Sequence, residues 1–214
     1  MALTAADGMF SVVLVNGRCR PVADGHSRVG RMRVIVASDI HGTHDQLRSQ
    51  LAILGQLTIV SPWAGEGKPF ETERDAVTEF HRRDGLASYE QKIAEAVNGE
   101  NAILIGFSVG ATSLWRYVAS TQCSPKSQAI LYYGSRIRDC VELVPRCPTT
   151  VFFAEHEPSF DSKSVVASVR KSGAICSIID GTSHGFMSST SSHYRADIAQ
   201  EHFRLLSRVV QRRA

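Results

Sequence analysis

Hydrophobic residues follow two alternating patterns along the chain. Short apolar runs predict strands at 10–15, 33–38, 57–61, 102–106, 128–133, 149–154 and 175–179. Longer amphipathic stretches between them predict helices at 44–55, 87–98, 109–120, 161–172 and 194–211. Repeated strand–helix units are typical of α/β folds with a largely parallel sheet. We therefore predict a mostly parallel central sheet of about seven strands, flanked by helices on both faces.

Two segments fit this alternation less well. Residues 62–86 mix Pro, Gly and charges of both signs, which indicates a surface excursion near the functional site. Met32 directly precedes a strong predicted strand and is a candidate start of translation. In that interpretation residues 1–31 are an N-terminal extension, with a possible edge strand, and residues 32–214 form one domain.

Composition narrows the class of protein. The chain has 214 residues, 43% of them hydrophobic, so it can bury a substantial core. Its net charge of +3 is spread without a long block of one sign, which argues against nucleic acid as a partner. The five cysteines are scattered without a C-x-x-C pair, and the early apolar run 9–15 is too short to span a membrane. We expect a cytoplasmic protein with reduced thiols and no membrane partner.

The strongest chemical signal is the G-x-S-x-G run at 106–110. It follows an apolar strand and precedes a helical stretch, which is the context of a nucleophile elbow. Such an elbow holds Ser108 in a strained backbone conformation, and a side chain at either glycine would collide with neighbouring chain. The amide of Val109 would then lie at a helix N-terminus, where it can stabilise an oxyanion.

A serine hydroxyl is a weak nucleophile, so this hypothesis requires a histidine and a carboxylate further along the chain. His184 fits the base, because it lies in a loop after a predicted strand, where open α/β sheets collect their site residues. The acid is expected after the strand 149–154. Glu157 is the first choice there. Glu155 and Asp161 stay open as alternatives, because the sequence indicates the loop but not which carboxylate turns inward.

Four stretches together resemble the dienelactone hydrolase family of α/β-hydrolases. They are residues 34–42, 106–110, 154–158 and 184–186, and the likeness spans roughly residues 33–211. The resemblance implies an α/β-hydrolase fold. It also implies a triad of Ser108 as nucleophile, Glu157 as acid and His184 as base. The first oxyanion-hole amide would be that of Val109, and the second would fall on Ile40.

The chain also departs from that family. Dienelactone hydrolases have cysteine in place of Ser108 and aspartate in place of Glu157, although serine and glutamate serve in the wider superfamily. The arginine that follows the family's histidine has no counterpart in residues 186–189. With these departures, the resemblance implies a serine hydrolase for a small ester, thioester or lactone, with a small amide left open, and the missing arginine argues against a dienelactone. The triad needs no metal or organic cofactor.

Two other functions compete with this one. Asp39 and His41 form an Asp-x-His motif after a strand, and in metal-dependent phosphoesterases such a motif supplies two metal ligands. The later Gly-Asp-x-x-Asp, Gly-Asn-His-Asp/Glu and Gly-His-x-His motifs of those enzymes are missing. A binding protein that kept the hydrolase scaffold and lost catalysis is the second alternative. The sequence does not indicate an oligomeric state.

Overall fold

One parallel sheet organises the protein. The computed structural model describes residues 32–65 and 70–213, so the strand predicted at 10–15 lies outside the described residues. The described strands are β1 (Arg33–Ala37), β2 (Thr58–Val60), β3 (Ala102–Phe107), β4 (Gln128–Tyr132), β5 (Thr149–His156) and β6 (Ile175–Ser183). Their order is β2-β1-β3-β4-β5-β6, and every neighbouring pair is parallel. The predicted parallel α/β architecture is confirmed, with six strands in this part of the chain rather than about seven.

Helices cover both faces of the sheet. They are α1 (Asp45–Leu51), α2 (Glu73–Arg82), α3 (Gly85–Val97), α4 (Val109–Ala119), α5 (Ser162–Val169) and α6 (Ala196–Arg212). Short 3₁₀ turns continue α1 and α5, and a separate one follows β4 at Ser135–Asp139. Buried residues of α1 and α6 share one apolar cluster, and those of α2 to α5 share another.

The central strands divide their side chains between these two clusters. Ile35 and Leu104 lie in the cluster beneath α2 to α5, whereas Val36 and Ile105 lie in the cluster beneath α1 and α6. Successive side chains of a strand point to opposite faces, so a sheet covered on both sides must be apolar at every position. All six residues of β3 are buried accordingly. This is why the middle strands read as unbroken apolar runs in the sequence.

Residues 62–86, predicted as a surface excursion with no helix, contain α2. The Thr72 hydroxyl caps the helix by accepting the amide hydrogen of residue 75 at 3.2 Å. Ala76 and Phe80, one turn apart, are buried against the core. The Pro and Gly residues on either side of the helix concealed this short amphipathic pattern.

The two ends of the described chain meet at one edge of the sheet. The amide of Met32, just before β1, donates to the carbonyl of Arg213, just after α6, at 3.4 Å. This is the edge where the parallel strands begin. The loops that follow the strands, with Ser108, Glu157 and His184, lie at the opposite edge. Within residues 32–65 and 70–213, no helix combines the length and the apolar character needed to cross a membrane.

Candidate active site

Ser108 occupies a sharp turn between β3 and α4. Its φ of 53° and ψ of −118° are unusual for a residue with a side chain. A Cβ atom on Gly106 would lie 2.7 Å from the Cα of Ala111, and one on Gly110 would lie 2.4 Å from the carbonyl oxygens of residues 37 and 38. Glycine is therefore required at both positions. The turn is fixed further by the Ser108 amide, which donates to the Tyr132 carbonyl at 3.0 Å.

A hydrogen-bonded chain of three side chains begins at this serine. The Ser108 hydroxyl lies 2.9 Å from Nε2 of His184. Nδ1 of the same imidazole lies 2.9 and 3.2 Å from the two carboxylate oxygens of Glu157. The Glu157 side chain is fully buried, whereas the His184 side chain is 25% exposed. The structure thus brings together the three residues named from the sequence.

Strand ends place the acid and the base. Glu157 directly follows β5, whose pairing with β6 shifts register between residues 154 and 156, and such irregularities re-aim the side chains that follow. His184 directly follows β6, and Phe186, two residues later, is completely buried. The buried phenylalanine anchors the loop from which the imidazole projects.

The two alternative carboxylates have other partners. Glu155 accepts a hydrogen bond from the Gly181 amide at 2.7 Å. Asp161 caps α5 by accepting from the Ser164 amide at 2.9 Å. Of the three carboxylates considered from the sequence, only Glu157 contacts His184.

The loop after β1 approaches the same site from the other side. Tyr89 donates its hydroxyl to the Ser38 and Val60 carbonyls, at 3.0 and 2.7 Å, and the Trp63 indole donates to the Ile40 carbonyl at 2.7 Å. No hydrogen bond within the described residues uses the amide of Ile40, or that of Val109 in the first turn of α4. Both amides therefore remain available as donors.

A cavity of about 640 Å³ opens over Ser108. Its lining includes the acidic residues Asp39, Glu73 and Glu157, and none of its described residues is Arg or Lys. The other described lining residues are Ile40, His41, Tyr133, His156, Pro158, Ser183, His184, Gly185, Ser188, Thr190, Ser191, Ser192 and His193. The wall is therefore rich in hydroxyl and imidazole groups.

The Asp-x-His motif has a local structural role in this cavity wall. The Asp39 carboxylate accepts the His41 amide hydrogen at 2.9 Å, and the His41 ring lies 3.5 Å from Glu73. In the described ranges, no three His, Cys, Asp or Glu side chains converge in a way that could hold a metal ion. The arrangement gives the phosphoesterase interpretation no support.

Three aromatic residues of the site were not found from the sequence. Trp63 and Tyr89 hold the β1 loop, and Tyr133 lines the cavity next to the imidazole of His184. Burial raises the pKa of Tyr89 and of Tyr133 above the usual value, so both phenols stay protonated. Their partners lie tens of residues away in sequence, so no local motif identifies them. Tyr133 gave only one signal, its position as the last residue of the strand predicted at 128–133.

Solved structures share this architecture. A candidate dienelactone hydrolase from Klebsiella pneumoniae subsp. pneumoniae superposes with a TM-score of 0.65 at 18% identity, covering 86% of this chain and 89% of that one. A dienelactone hydrolase-like promiscuous phosphotriesterase from metagenomic libraries superposes with a TM-score of 0.60 at 14% identity, covering 86% and 87%. The protein therefore has the α/β-hydrolase fold, in the form seen in dienelactone hydrolase-like structures.

A sequence relative defines the family more narrowly. The uncharacterized protein YczH of Bacillus subtilis (strain 168) is 30% identical over 146 residues, which covers 64% of this chain and 71% of YczH. The chain belongs to the same family as YczH. No known family profile matches the sequence.

Proposed function

We propose that the protein is a serine hydrolase that cleaves a small carboxylic ester, thioester or lactone. The observation that carries this proposal is the hydrogen-bonded chain from Ser108 through His184 to Glu157. With Nδ1–H donating to the carboxylate, the Nε2 lone pair faces the serine hydroxyl and can accept its proton. The buried Glu157 stabilises the imidazolium that results.

The reaction proceeds in two halves. Ser108 Oγ bonds to the acyl carbon while its proton moves to His184, and His184 then passes that proton to the leaving oxygen or sulfur. The acyl group stays on Ser108. Water adds to this ester, giving a proton to His184, and the carboxylic acid leaves as the proton returns to Ser108. The amides of Val109 and Ile40 stabilise the oxyanion formed in each half.

Three further observations support a small substrate. The cavity volume of about 640 Å³ is within the usual range for small-molecule sites. Its hydroxyl and imidazole groups can bind a polar substrate. The resemblance to dienelactone hydrolase-like structures adds support from the fold. No Arg or Lys lies among the described lining residues, so the usual partner of a substrate carboxylate is missing there.

Covalent labelling with a fluorophosphonate tests the proposal directly. We expect the wild-type protein to gain one adduct, mapped by mass spectrometry to the peptide that contains Ser108. Ser108→Ala should not label, and its turnover of p-nitrophenyl acetate should fall by about three orders of magnitude or more. Preincubation with EDTA should change neither result.

Two outcomes would contradict this function. A wild-type protein that neither labels nor hydrolyses short esters favours a scaffold without catalysis. Activity that EDTA abolishes and Ser108→Ala retains favours the metal-dependent phosphoesterase. His184→Ala provides a second check, because loss of the base should slow labelling even though Ser108 is still present.

A further inference from the structure

Tyr132 is the last residue of β4, and Tyr133 follows it. Between them they contact Ser108, His184 and the strand that precedes Glu157. We call this pair the β4 corner. The Tyr132 carbonyl accepts the amide hydrogen of Ser108 at 3.0 Å. The Tyr133 amide donates to the carbonyl of Phe152 at 2.7 Å, on the strand that directly precedes Glu157. The Tyr133 ring contacts His184.

The contact with His184 is an edge-to-face packing of two rings. The ring centroids of Tyr133 and His184 lie 5.0 Å apart at an interplanar angle of 68°. On its other side, the Tyr133 ring packs against Phe186 with centroids 5.2 Å apart. Since Phe186 and Tyr133 are almost completely buried, the tyrosine ring has little freedom to move and forms a fixed wall beside the imidazole.

The backbone at this corner is strained. Tyr133 has a φ of 41°, a left-handed conformation that a large aromatic residue rarely adopts. Strain of this kind persists only where the surroundings enforce it, and it is concentrated at functional sites. At Tyr133 the left-handed turn occurs where the chain leaves β4 and enters the wall of the cavity.

We infer that Tyr133 is a positioning residue, whose ring holds the His184 imidazole in line between Ser108 and Glu157. Without the ring, the imidazole could turn about its side-chain torsions and lose one of its two hydrogen bonds. The ring acts through His184 and takes no part in the bond changes. This inference rests on the function proposed above and assigns a role to a residue outside the triad.

The ring, rather than the hydroxyl, carries the effect. Tyr133→Phe keeps the ring, and its rate of fluorophosphonate labelling and its kcat for p-nitrophenyl acetate should stay within about 3-fold of wild type. Tyr133→Leu removes the ring and should lower both by about 10- to 100-fold, the cost of misplacing a reacting group by about 1 Å. For Tyr133→Leu, KM should change much less than kcat, because the ring acts through His184.

A purely structural effect needs its own control. Tyr117→Leu removes an equally buried aromatic ring from α4, and the Tyr117 hydroxyl bonds to the Gln122 carbonyl, away from the cavity. We expect this variant to lower the Tm but to label at the wild-type rate while folded. Tyr133→Asn is the second ring-free variant, because asparagine tolerates the left-handed backbone better than leucine does, and circular dichroism identifies which of the two variants folds. It should lose activity as Tyr133→Leu does.

The outcomes separate this inference from the proposed function. If wild type labels and the folded Tyr133→Leu or Tyr133→Asn protein labels equally fast, the positioning role is wrong and the serine hydrolase stands. If Tyr133→Phe falls as far as Tyr133→Leu, the hydroxyl rather than the ring is responsible and the inference also fails. If wild type does not label, both are wrong.

Discussion

Gly110 lies where the first turn of α4 passes closest to the end of β1. An added methyl group would meet the carbonyl oxygens of Ala37 and Ser38 at 2.4 Å, and backbone atoms in a parallel sheet cannot easily move away. We predict that Gly110→Ala lowers the free energy of unfolding by about 3 kcal/mol and slows labelling of Ser108. Urea unfolding and the fluorophosphonate reaction measure the two effects.

Gly99 offers a matched control for that substitution. A methyl group there meets nothing within 4 Å, although the φ of 70° is unfavourable for alanine. Gly99→Ala should therefore cost only about 1 kcal/mol and leave labelling unchanged. Equal stability of the two variants would show that close packing is not what requires glycine at position 110.

The carboxylate of Glu157 can be tested against the other two carboxylates considered from the sequence, Glu155 and Asp161. Glu157→Gln keeps the side chain's size but favours the wrong imidazole tautomer, so we expect kcat to fall by about 10³- to 10⁴-fold. Glu155→Gln and Asp161→Asn should retain activity, because these groups bind the Gly181 amide and cap α5. A large loss in Glu155→Gln with little loss in Glu157→Gln would reassign the acid.

The choice among those three carboxylates shows what sequence reasoning could not reach. Chain order and strand ends were enough to indicate which loops meet. Which carboxylate turns inward depends on the register shift between β5 and β6, where the paired residues lie more than 20 positions apart in sequence. The ring of Tyr133 was missed for the same reason, since its contact with His184 exists only in three dimensions.

Helix α6 places a histidine against the aromatic cluster beneath the site. His202 packs against Tyr132, Phe152 and Phe186, with ring centroids 4.9 to 6.0 Å apart. Burial lowers the pKa of His202 below 6.5, partly opposed by the charge of Glu201. The folded protein therefore favours the neutral imidazole.

This pKa makes the stability depend on pH in a defined direction. Below pH 6.5 the unfolded chain binds a proton at His202 more readily than the folded chain does, so stability falls as pH falls. Well above pH 6.5, where both states have lost this proton, the contribution is constant. We predict that His202→Gln loses less stability than wild type between pH 7.5 and pH 5.5, measured by urea unfolding. An equal loss in both proteins would place the titrating group elsewhere.

Element positions were predictable to different degrees. The long apolar runs of β3 and β4 gave boundaries within one residue, because strands buried on both faces are apolar throughout. Helix α2 was missed, since its composition is mostly polar and only Ala76 and Phe80 among its residues are buried. The order of strands in the sheet depends on contacts between distant segments, which periodicity does not report.

Four cysteines in the described residues are free and buried, and two of them report on the folded state as a whole. Burial raises the pKa of Cys140 and of Cys176 to about 11. At pH 8 their thiolate fraction should be about 100-fold lower than in the unfolded chain. We predict that iodoacetamide modifies both residues together, and only as urea unfolds the protein.

Mass spectrometry of peptides after brief labelling at each urea concentration provides the measurement. Cooperative unfolding requires the two cysteines, on different sides of β5, to become reactive over the same range. Rapid modification of Cys176 in native buffer would instead show that the edge strand β6 opens by itself.

The meeting of Met32 and Arg213 at the starting edge of the sheet has a practical consequence. A tether fixed after Arg213 would hold the molecule by the side opposite Ser108, so the cavity would face the surrounding solution. Immobilised on a bead or sensor surface through this point, the protein would keep its entrance open to substrate and to labelling reagents. Attachment near residues 188–193, in contrast, would turn the entrance toward the support.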